Sequence, residues 1–242
     1  MPCVAQWSGS GPIDMSRVAI VAALEREVRP LIKGWRVSER DHDGRRFRFF
    51  ESEDVVLVCG GVGAAAARRA TEAIISNFAP ELACSVGFAG ALDPSLNVGD
   101  VIRPESVINA GDGSRTKLGS GEGILVSFSS VASPQQKTKL RESYNAQAVD
   151  MEAAAVARSA ETHGIAFAAV KVISDAVSFE FPSIEQFVDS DGRFSEGRFA
   201  WFAVLRPWLW PQVIQLARNR NRAAHALCTS LRSAEREIFV SR

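Results

Sequence analysis

Short apolar runs alternate with segments of helical periodicity along the first three quarters of the chain. Val18–Ala23 is a continuous apolar run rich in β-branched residues, which predicts a strand covered on both faces. Leu24–Ile32 follows with apolar residues at helical spacing and charged residues between them, which predicts a helix. The pattern recurs where the apolar run Val55–Cys59 enters a glycine-rich turn and then a helix-favouring segment, Ala64–Phe78.

The same alternation continues to residue 176. Its apolar runs predict four more strands, at Leu82–Val86, Gly123–Phe128, Ala146–Val149 and Phe167–Ile173. A helix is predicted over about Met151–His163 and closed by Gly164. Because no linker-like stretch interrupts the series, we expect one α/β domain, residues 18–176, built around a largely parallel or mixed sheet.

Both ends of the chain differ in composition from residues 18–176. Residues 1–17 are rich in Ser, Gly and Pro and lack a secretory signal pattern, so we expect a loose lead-in. Residues 177–242 begin loop-like and continue through the aromatic run Phe199–Trp210 into a segment with seven arginines from Arg206 onward. This run is too short and too interrupted to span a bilayer, and we expect an aromatic, basic helical extension of the same domain.

Composition narrows the class of protein. The 28 Lys+Arg balance 28 Asp+Glu, which argues against a nucleic-acid-binding coat, and 46% hydrophobic residues exclude a mainly disordered chain. The four cysteines and three histidines are scattered, so we expect no disulfide framework and no metal. A reducing, cytoplasmic setting fits this cysteine usage best.

A first candidate for chemistry is the turn Gly61–Ala66, which satisfies the pattern G-x-G-x-x-A between a strand and a helix. Its backbone N–H groups suit an anion, but a tight packing turn explains the glycines equally well. A dinucleotide site also needs an acidic residue about 20 positions later, at the carboxyl end of the next strand. Glu81 has this spacing but precedes its strand, which weakens an NAD(P)-binding oxidoreductase as an alternative.

Acidic residues follow three of the predicted strands. Asp150 and Glu152 flank the start of a helix, Ser174 and Asp175 end the run from Phe167, and Glu27 follows the first strand. Carboxylates at a helix start are commonly caps. Because open α/β sheets place ligands at the carboxyl ends of their strands, we expect these acids to meet at one edge of the sheet.

Five segments in order resemble the nucleoside phosphorylase and nucleosidase superfamily, in its methylthioadenosine/S-adenosylhomocysteine nucleosidase-like branch. They are VAIVAALEREV, GGVG, VGFAGALDPSLNVGDVI (Val86–Ile102), AVDMEAAAVA (Ala148–Ala157) and VKVISDA (Val170–Ala176). The resemblance implies a nucleoside phosphorylase-like fold with a central mixed sheet flanked by helices. It also implies cleavage of a purine N-glycosidic bond, with a 5′-substituted adenine nucleoside as substrate.

The resemblance implies roles for three acidic residues and one methionine. Asp175 matches the acid that delivers a proton to purine N7, which requires a protonated carboxyl group raised in pKa by burial or by a neighbouring acid. Glu152 matches the carboxylate that binds the ribose hydroxyls, and Met151 matches the residue that packs on the sugar. Glu27 matches the residue that positions or deprotonates the attacking water.

Further residues are implied to line the substrate. Gly63 and the turn Gly87–Gly90, which includes Phe88, Ala89 and Gly90, would hold the nucleophile and the base. Ser129 and Ser130 fall near the segment whose backbone contacts the purine, and Ser174 precedes the catalytic acid.

Two departures from the family pattern bear on the nucleophile. Phe88 stands where nucleosidases usually carry a small polar residue, and Asp150 replaces the usual Glu and is assigned no chemistry. The SVGFAG segment contains no arginine, which phosphate-using members commonly place there. Water is therefore favoured over phosphate as the nucleophile. The resemblance implies no cofactor, no metal and no nucleic-acid partner, and it implies a homo-oligomer.

The run Ala132–Lys137 and the basic, Trp-rich tail most resemble the hopanoid-associated phosphorylases, which are linked to removing adenine from adenosylhopane. The tail predicts a peripheral contact with the inner membrane face, because aromatic rings and arginines suit an anionic lipid interface. Packing of these aromatics on the domain or at a subunit interface is the alternative. A non-catalytic family member that binds a nucleoside or lipid is a further alternative.

Overall fold

A computed structural model describes residues 17–179 and 218–232 of the chain. The expected lead-in, apart from Arg17, lies outside the described residues, and so does the aromatic run Phe199–Trp210. The predicted lipid contact of that run therefore stays a prediction. Within the described residues, no helix combines the length and the apolar character needed to cross a membrane.

The first half of the domain contains five strands and two helices. In chain order these are β1 (Val18–Ala22), α1 (Glu25–Val28), β2 (Arg36–His42), β3 (Arg45–Ser52), β4 (Val55–Cys59), α2 (Ala64–Phe78) and β5 (Leu82–Ala91). The helix predicted over Ala64–Phe78 is confirmed with the same bounds. Its apolar residues face the sheet because they recur at helical spacing.

The second half adds six strands and three helices. They are β6 (Val101–Ile102), β7 (Ser106–Asn109), β8 (Arg115–Lys117), β9 (Ile124–Ser127), α3 (Pro134–Tyr144), β10 (Ala148–Asp150), α4 (Ala153–Thr162), β11 (Ala166–Asp175) and α5, whose described residues are 218–232. The predicted strands at 82–86, 123–128, 146–149 and 167–173 are all present. The predicted helical extension after residue 176 is present as α5.

The described strands form one mixed sheet, in the order β2-β3-β4-β1-β5-β10-β9-β7-β8, with β11 beside β5 and β6 beside β11. The strand β5 is its axis. Its first half lies between β1 and β11, both parallel to it, and its last two residues pair with β10, which is antiparallel. The predicted mixed α/β sheet flanked by helices is confirmed.

Helices cover both faces of the sheet. On one face, α2 and α4 pack on a cluster that includes Phe49, Ile74 and Val156. On the other, α5 and the segment after α1 pack on a cluster that includes Leu57, Val172 and Leu227. Each of the strands β1, β4 and the first half of β5 is buried on both faces by these two clusters. This is why each of them is a continuous apolar run in the sequence.

The helix predicted over Leu24–Ile32 is shorter than expected. It ends at Val28, with Arg29 as its C-cap, because Pro30 has no N–H to continue the helix and disfavours helical geometry in the residue before it. Leu31 and Ile32 are nevertheless buried, so the apolar periodicity indicated the correct inward face.

The hairpin β2–β3 was not predicted. Its turn is Asp43-Gly44, with φ of 48° and 72°, a dipeptide typical of two-residue hairpin turns. Phe47 and Phe49 point into the core and alternate with Arg46 and Arg48, and Phe50 is buried as well. The many arginines of β2 and β3 masked this period-two pattern.

Candidate active site

The strand β5 runs straight through the segment that was expected to be a turn. Gly87–Gly90 is extended backbone, and it pairs with β11 from Gly87↔Lys171 to Gly90↔Asp175. The turn expectation is wrong because the ladder with β11 satisfies the backbone groups of this segment. Glycine is required at residue 87, where φ is 147°, and its missing side chain leaves space beside the strand.

Glu27 reaches this space from α1. The residue is 6% exposed, and its Oε2 atom accepts no hydrogen bond from the described part of the chain. A Cβ atom at Gly87 would stand 3.0 Å from that Oε2 and 3.9 Å from Lys171 Nζ. Glu27 therefore presents an unpartnered carboxylate oxygen to the side of β5.

Glu152 is held by backbone donors at the N-terminal end of α4. The Gly63 N–H donates to its Oε1 at 2.8 Å, and the Met151 N–H donates to its Oε2 at 3.3 Å. Met151 is half-buried in the same short connection between β10 and α4. The structure thus brings Gly63 together with Met151 and Glu152, which follow it by 88 and 89 residues in the sequence.

The contact with Glu152 bears on the oxidoreductase alternative. A dinucleotide site would need the N–H groups of Gly61–Ala66 for its pyrophosphate, and the Gly63 N–H already donates to a carboxylate of the same chain. Glu81 precedes β5, at the opposite end of that strand from Gly87. Neither feature favours an NAD(P) site.

Lys171 carries the buried positive charge among these acids. Its side chain is 1% exposed, and its Nζ lies 2.9 Å from Asp150 Oδ2. Sequence reasoning missed Lys171, although a lysine inside the buried strand run of β11 was itself a signal, since a buried charge needs a partner. Asp150, to which no chemistry was assigned, is that partner.

Asp150 also organises the start of α4. Its Oδ1 accepts from the Ser127 hydroxyl at 2.6 Å, and its Oδ2 accepts from the Ala153 N–H at 2.9 Å. Ser127 in turn accepts from the Ala154 N–H at 2.9 Å. These bonds satisfy orphan N–H groups of the helix, as the capping interpretation of the carboxylates predicts.

The electrostatics of the cluster favour protonation of Glu27 and Glu152. Burial, followed by the charge of Glu152, raises the pKa of Glu27 to about 8, and Lys171 limits the rise. Burial and the charge of Asp150 likewise raise the pKa of Glu152. Burial alone would lower the pKa of Lys171, but the charges of Asp150 and Glu152 outweigh it and raise that pKa.

Asp175 lies at the end of β11, where the pairing with β5 shifts register between Ile173 and Asp175. Its Oδ1 accepts from the Ser174 hydroxyl at 2.7 Å, and its Oδ2 accepts from Lys137 Nζ. Burial or a neighbouring acid was expected to raise the pKa of Asp175, and the ionisable side chain that contacts it among the described residues is a lysine. Sequence reasoning also missed Lys137, although Lys137 and Leu140 share the buried face of α3.

The remaining predicted residues lie in β5 and in the loop after β9. Phe88 packs against the cluster beneath α5, and Ala89 is 3% exposed in a cluster on the other face. A Cβ atom at Gly90 would stand 2.9 Å from Asp175 Oδ2. Ser129 and Ser130 lie in the loop after β9, just beyond Phe128, whose N–H donates to the Asp150 carbonyl at 2.8 Å.

The acids converge, but the expectation that their three strands all end at the same edge of the sheet is wrong. The strands β1 and β11 end at the same edge because both are parallel to β5. The strand β10, which precedes Glu152, is antiparallel to β5 and runs in the opposite direction. Among the described residues, no three His, Cys, Asp or Glu side chains are grouped so that they could hold a metal ion.

The chain is similar in sequence to a known family and to nucleosidases within it. The family model of the phosphorylase superfamily matches residues 17–134 and 121–197. A 5′-methylthioadenosine/S-adenosylhomocysteine nucleosidase of Staphylococcus aureus (strain bovine RF122 / ET3-1) is 27% identical over 212 residues, covering 71% of this chain and 92% of that protein. One of Marinomonas sp. (strain MWYL1) is 35% identical over 99 residues, covering 39% of this chain and 42% of that protein.

The fold agrees with solved structures of the same group. Futalosine hydrolase of Helicobacter pylori superposes with a TM-score of 0.68 at 17% identity, covering 92% of this chain and 98% of that one. The family model and the nucleosidase relatives confirm the resemblance that was seen in the sequence. The chain belongs to the phosphorylase superfamily, as an enzyme of the nucleoside phosphorylase and nucleosidase type.

Proposed function

We propose that the chain hydrolyses the N-glycosidic bond of a 5′-substituted adenine nucleoside. The observation that carries the proposal is the spacing of two carboxylates along β5, with Glu27 beside Gly87 and Asp175 beside Gly90. Three residues of an extended strand correspond to about 10 Å along β5, so the two carboxylates lie against different points of the same strand. The nucleosidase names of the relatives support adenine nucleosides as the substrate class.

Glu27 is proposed as the base that takes a proton from the attacking water. Its Oε2 is buried and has no described partner, so it is free to accept from a water molecule placed against Gly87. With a pKa raised to about 8, the Glu27 carboxylate is a far stronger base than an ordinary one. Lys171, nearby, limits that rise and so keeps part of the population ionised at neutral pH.

Glu152 is proposed to bind the ribose hydroxyls, with Met151 packed on the sugar. The two backbone donors fix the Glu152 carboxylate, and each of its oxygens retains a lone pair for a hydroxyl. Hydrogen bonds from the ribose to a preorganised carboxylate stabilise the positive charge that develops on the sugar as the bond breaks.

Asp175 is proposed to deliver a proton to N7 of the departing purine. Ser174 and Asp175 end β11 at the register shift, a kind of irregularity that re-aims side chains next to active sites. Phe88, Ala89, Gly90 and the loop with Ser129 and Ser130 are proposed to surround the purine on its other sides. The hopanoid-associated resemblance makes adenosylhopane one candidate for the 5′-substituted substrate.

The test is adenine release from methylthioadenosine, adenosine and adenosylhopane, with and without phosphate. Wild type is expected to release adenine without phosphate, and Asp175→Asn is expected to lower kcat by about 10²- to 10⁴-fold, the usual contribution of an acid. Asp112→Asn, at an exposed loop position, is the matched control and should keep the wild-type rate. Release that requires phosphate would replace water by phosphate as the nucleophile, and no release from any substrate would refute the proposal.

A further inference from the structure

Lys137 is a buried cation fixed in place by the first turn of α3. Its side chain is 2% exposed. The Lys137 N–H donates to the Ser133 carbonyl at 2.8 Å, and Ser133 and Gln136 form a reciprocal capping box. Because the cap fixes this turn, the backbone from which the lysine extends has little freedom.

The ammonium group of Lys137 is aimed at the end of β11. It donates to Asp175 Oδ2 and, at 2.7 Å, to the Ala176 carbonyl. A lysine ammonium has three donors, and the described contacts use two of them. Gly90 makes room for the pair, because a Cβ atom there would stand 3.2 Å from Lys137 Cε and 2.9 Å from Asp175 Oδ2.

Asp175 accepts hydrogen bonds at both of its oxygens. Oδ2 accepts from Lys137, and Oδ1 accepts from Ser174. A purine that leaves with the electron pair of its glycosidic bond needs a proton. Among the described residues, Lys137 supplies the ammonium group that contacts Asp175.

We propose that Lys137 positions Asp175 and supplies the proton that the leaving base takes up. As the C1′–N9 bond breaks, its electron pair moves into the purine. One proton passes from Lys137 Nζ to the Asp175 carboxylate and from there to N7, which leaves a neutral amine and a carboxylate. The attacking water gives its proton to Glu27, and after release of the products Glu27 returns a proton to solvent while Lys137 takes one up. This inference rests on the proposed function.

The test compares two leaving groups on the same 5′-substituted ribose. Adenine needs a proton to depart, but 4-nitrophenolate departs as a stable anion. Lys137→Met is expected to lower kcat for adenine release by about 10²-fold or more while changing nitrophenolate release less than about 5-fold. Lys139→Met, exposed on the same helix, is the matched control and should change neither rate.

Lys137→Arg separates proton supply from charge. Arginine keeps the positive charge beside Asp175 but does not deprotonate in proteins, so adenine release should stay low and nitrophenolate release should be retained. Equal losses on both substrates, or full recovery of adenine release in Lys137→Arg, would overturn the role of Lys137. If Lys137→Met does not fold, the comparison of leaving groups in Lys137→Arg decides alone.

The same experiment distinguishes this inference from the proposed function. If wild type and Lys137→Met release adenine equally fast, only the role of Lys137 is refuted. A wild-type chain that releases neither adenine nor nitrophenolate refutes the proposed function and this inference together.

Discussion

Glu27 is buried, and its Oε2 accepts no hydrogen bond from the described residues, which costs folding free energy unless the carboxyl group is protonated. Burial and Glu152 together raise its pKa from the ordinary 4.5 to about 8. The folded chain therefore binds more protons at Glu27 than the unfolded chain between those two pH values. Its stabilising contribution is complete below about pH 4.5 and is lost as the pH rises through 8.

Glu27→Gln should accordingly remove a pH dependence of stability. Wild type should lose about 1.4 kcal/mol per pH unit relative to the variant between pH 5 and 8, because each unit of pKa shift corresponds to that free energy. Urea unfolding at pH 5, 6.5 and 8 measures the difference. Glu122→Gln, at an exposed position, should track wild type, and a Glu27→Gln curve parallel to wild type would contradict the raised pKa.

The acids of the site could be found from the sequence, but the pairing of these acids with lysines could not. Glu27 and Asp175 follow strands directly, so strand prediction alone indicates where their backbone emerges. The roles of Lys137 and Lys171 depend on their ion-pair partners, Asp175 and Asp150, which lie 38 and 21 residues away in the sequence. A pairing across that separation depends on strand order and helix docking, which a single sequence does not specify.

At the scale of elements, the packing of α2 on β4 depends on a glycine. A Cβ atom at Gly60 would stand 2.6 Å from Ala70 Cβ and 2.9 Å from the Ala66 carbonyl oxygen, both on α2. This contact sets how closely the helix approaches the sheet, and α2 begins directly after Gly63, which binds Glu152.

Gly60→Ala should therefore force α2 away from β4 and cost about 1–3 kcal/mol, the usual range for overpacking. A thermal or urea unfolding curve measures the loss. Gly119→Ala is the matched control because nothing lies within 4 Å of the added Cβ, and its stability should stay within about 0.5 kcal/mol of wild type. Equal stability of the two variants would mean that α2 relaxes without strain.

Sequence patterns predicted elements well where one period dominated. The apolar, alanine-rich α2 and the continuous runs of β1 and β4 were predicted within one residue of their bounds. The glycines of Gly87–Gly90 suggested a turn, but β11 pairs with this segment and extends β5 through it. Tertiary pairing overrides the local preference of glycine there.

At the scale of the whole molecule, the apolar face of the sheet on the α1 side is covered by α5. Ala223, Leu227, Cys228 and Leu231 are buried in one cluster with residues of β1, β4 and β11. The same helix contacts the segment after α1, where Arg232 donates to the Pro30 carbonyl at 2.5 Å. Lipid attachment by Phe199–Trp210 is therefore best tested by substitutions within that run, because truncation there would also remove α5.

Leu227→Ala should destabilise the whole domain, since the side chain is fully buried between α5 and the sheet. We expect a loss of about 3 kcal/mol and a fall in Tm of roughly 6–12 °C in a thermal melt. His225→Ala, exposed on the same helix, should melt close to wild type. A Leu227→Ala melt that matches wild type would show that the core does not depend on this helix.

The contact between α5 and α1 also bears on how the chain is made. The Cys228 thiol lies 3.8 Å from the Glu27 carbonyl oxygen, so the first acid of the site is covered by a helix about 200 residues further on. At about 5–20 residues per second, a ribosome delivers that helix roughly 10–40 s after Glu27. During this interval the apolar cluster beneath α5 is open to water, and the nascent chain presents a surface that a chaperone can bind.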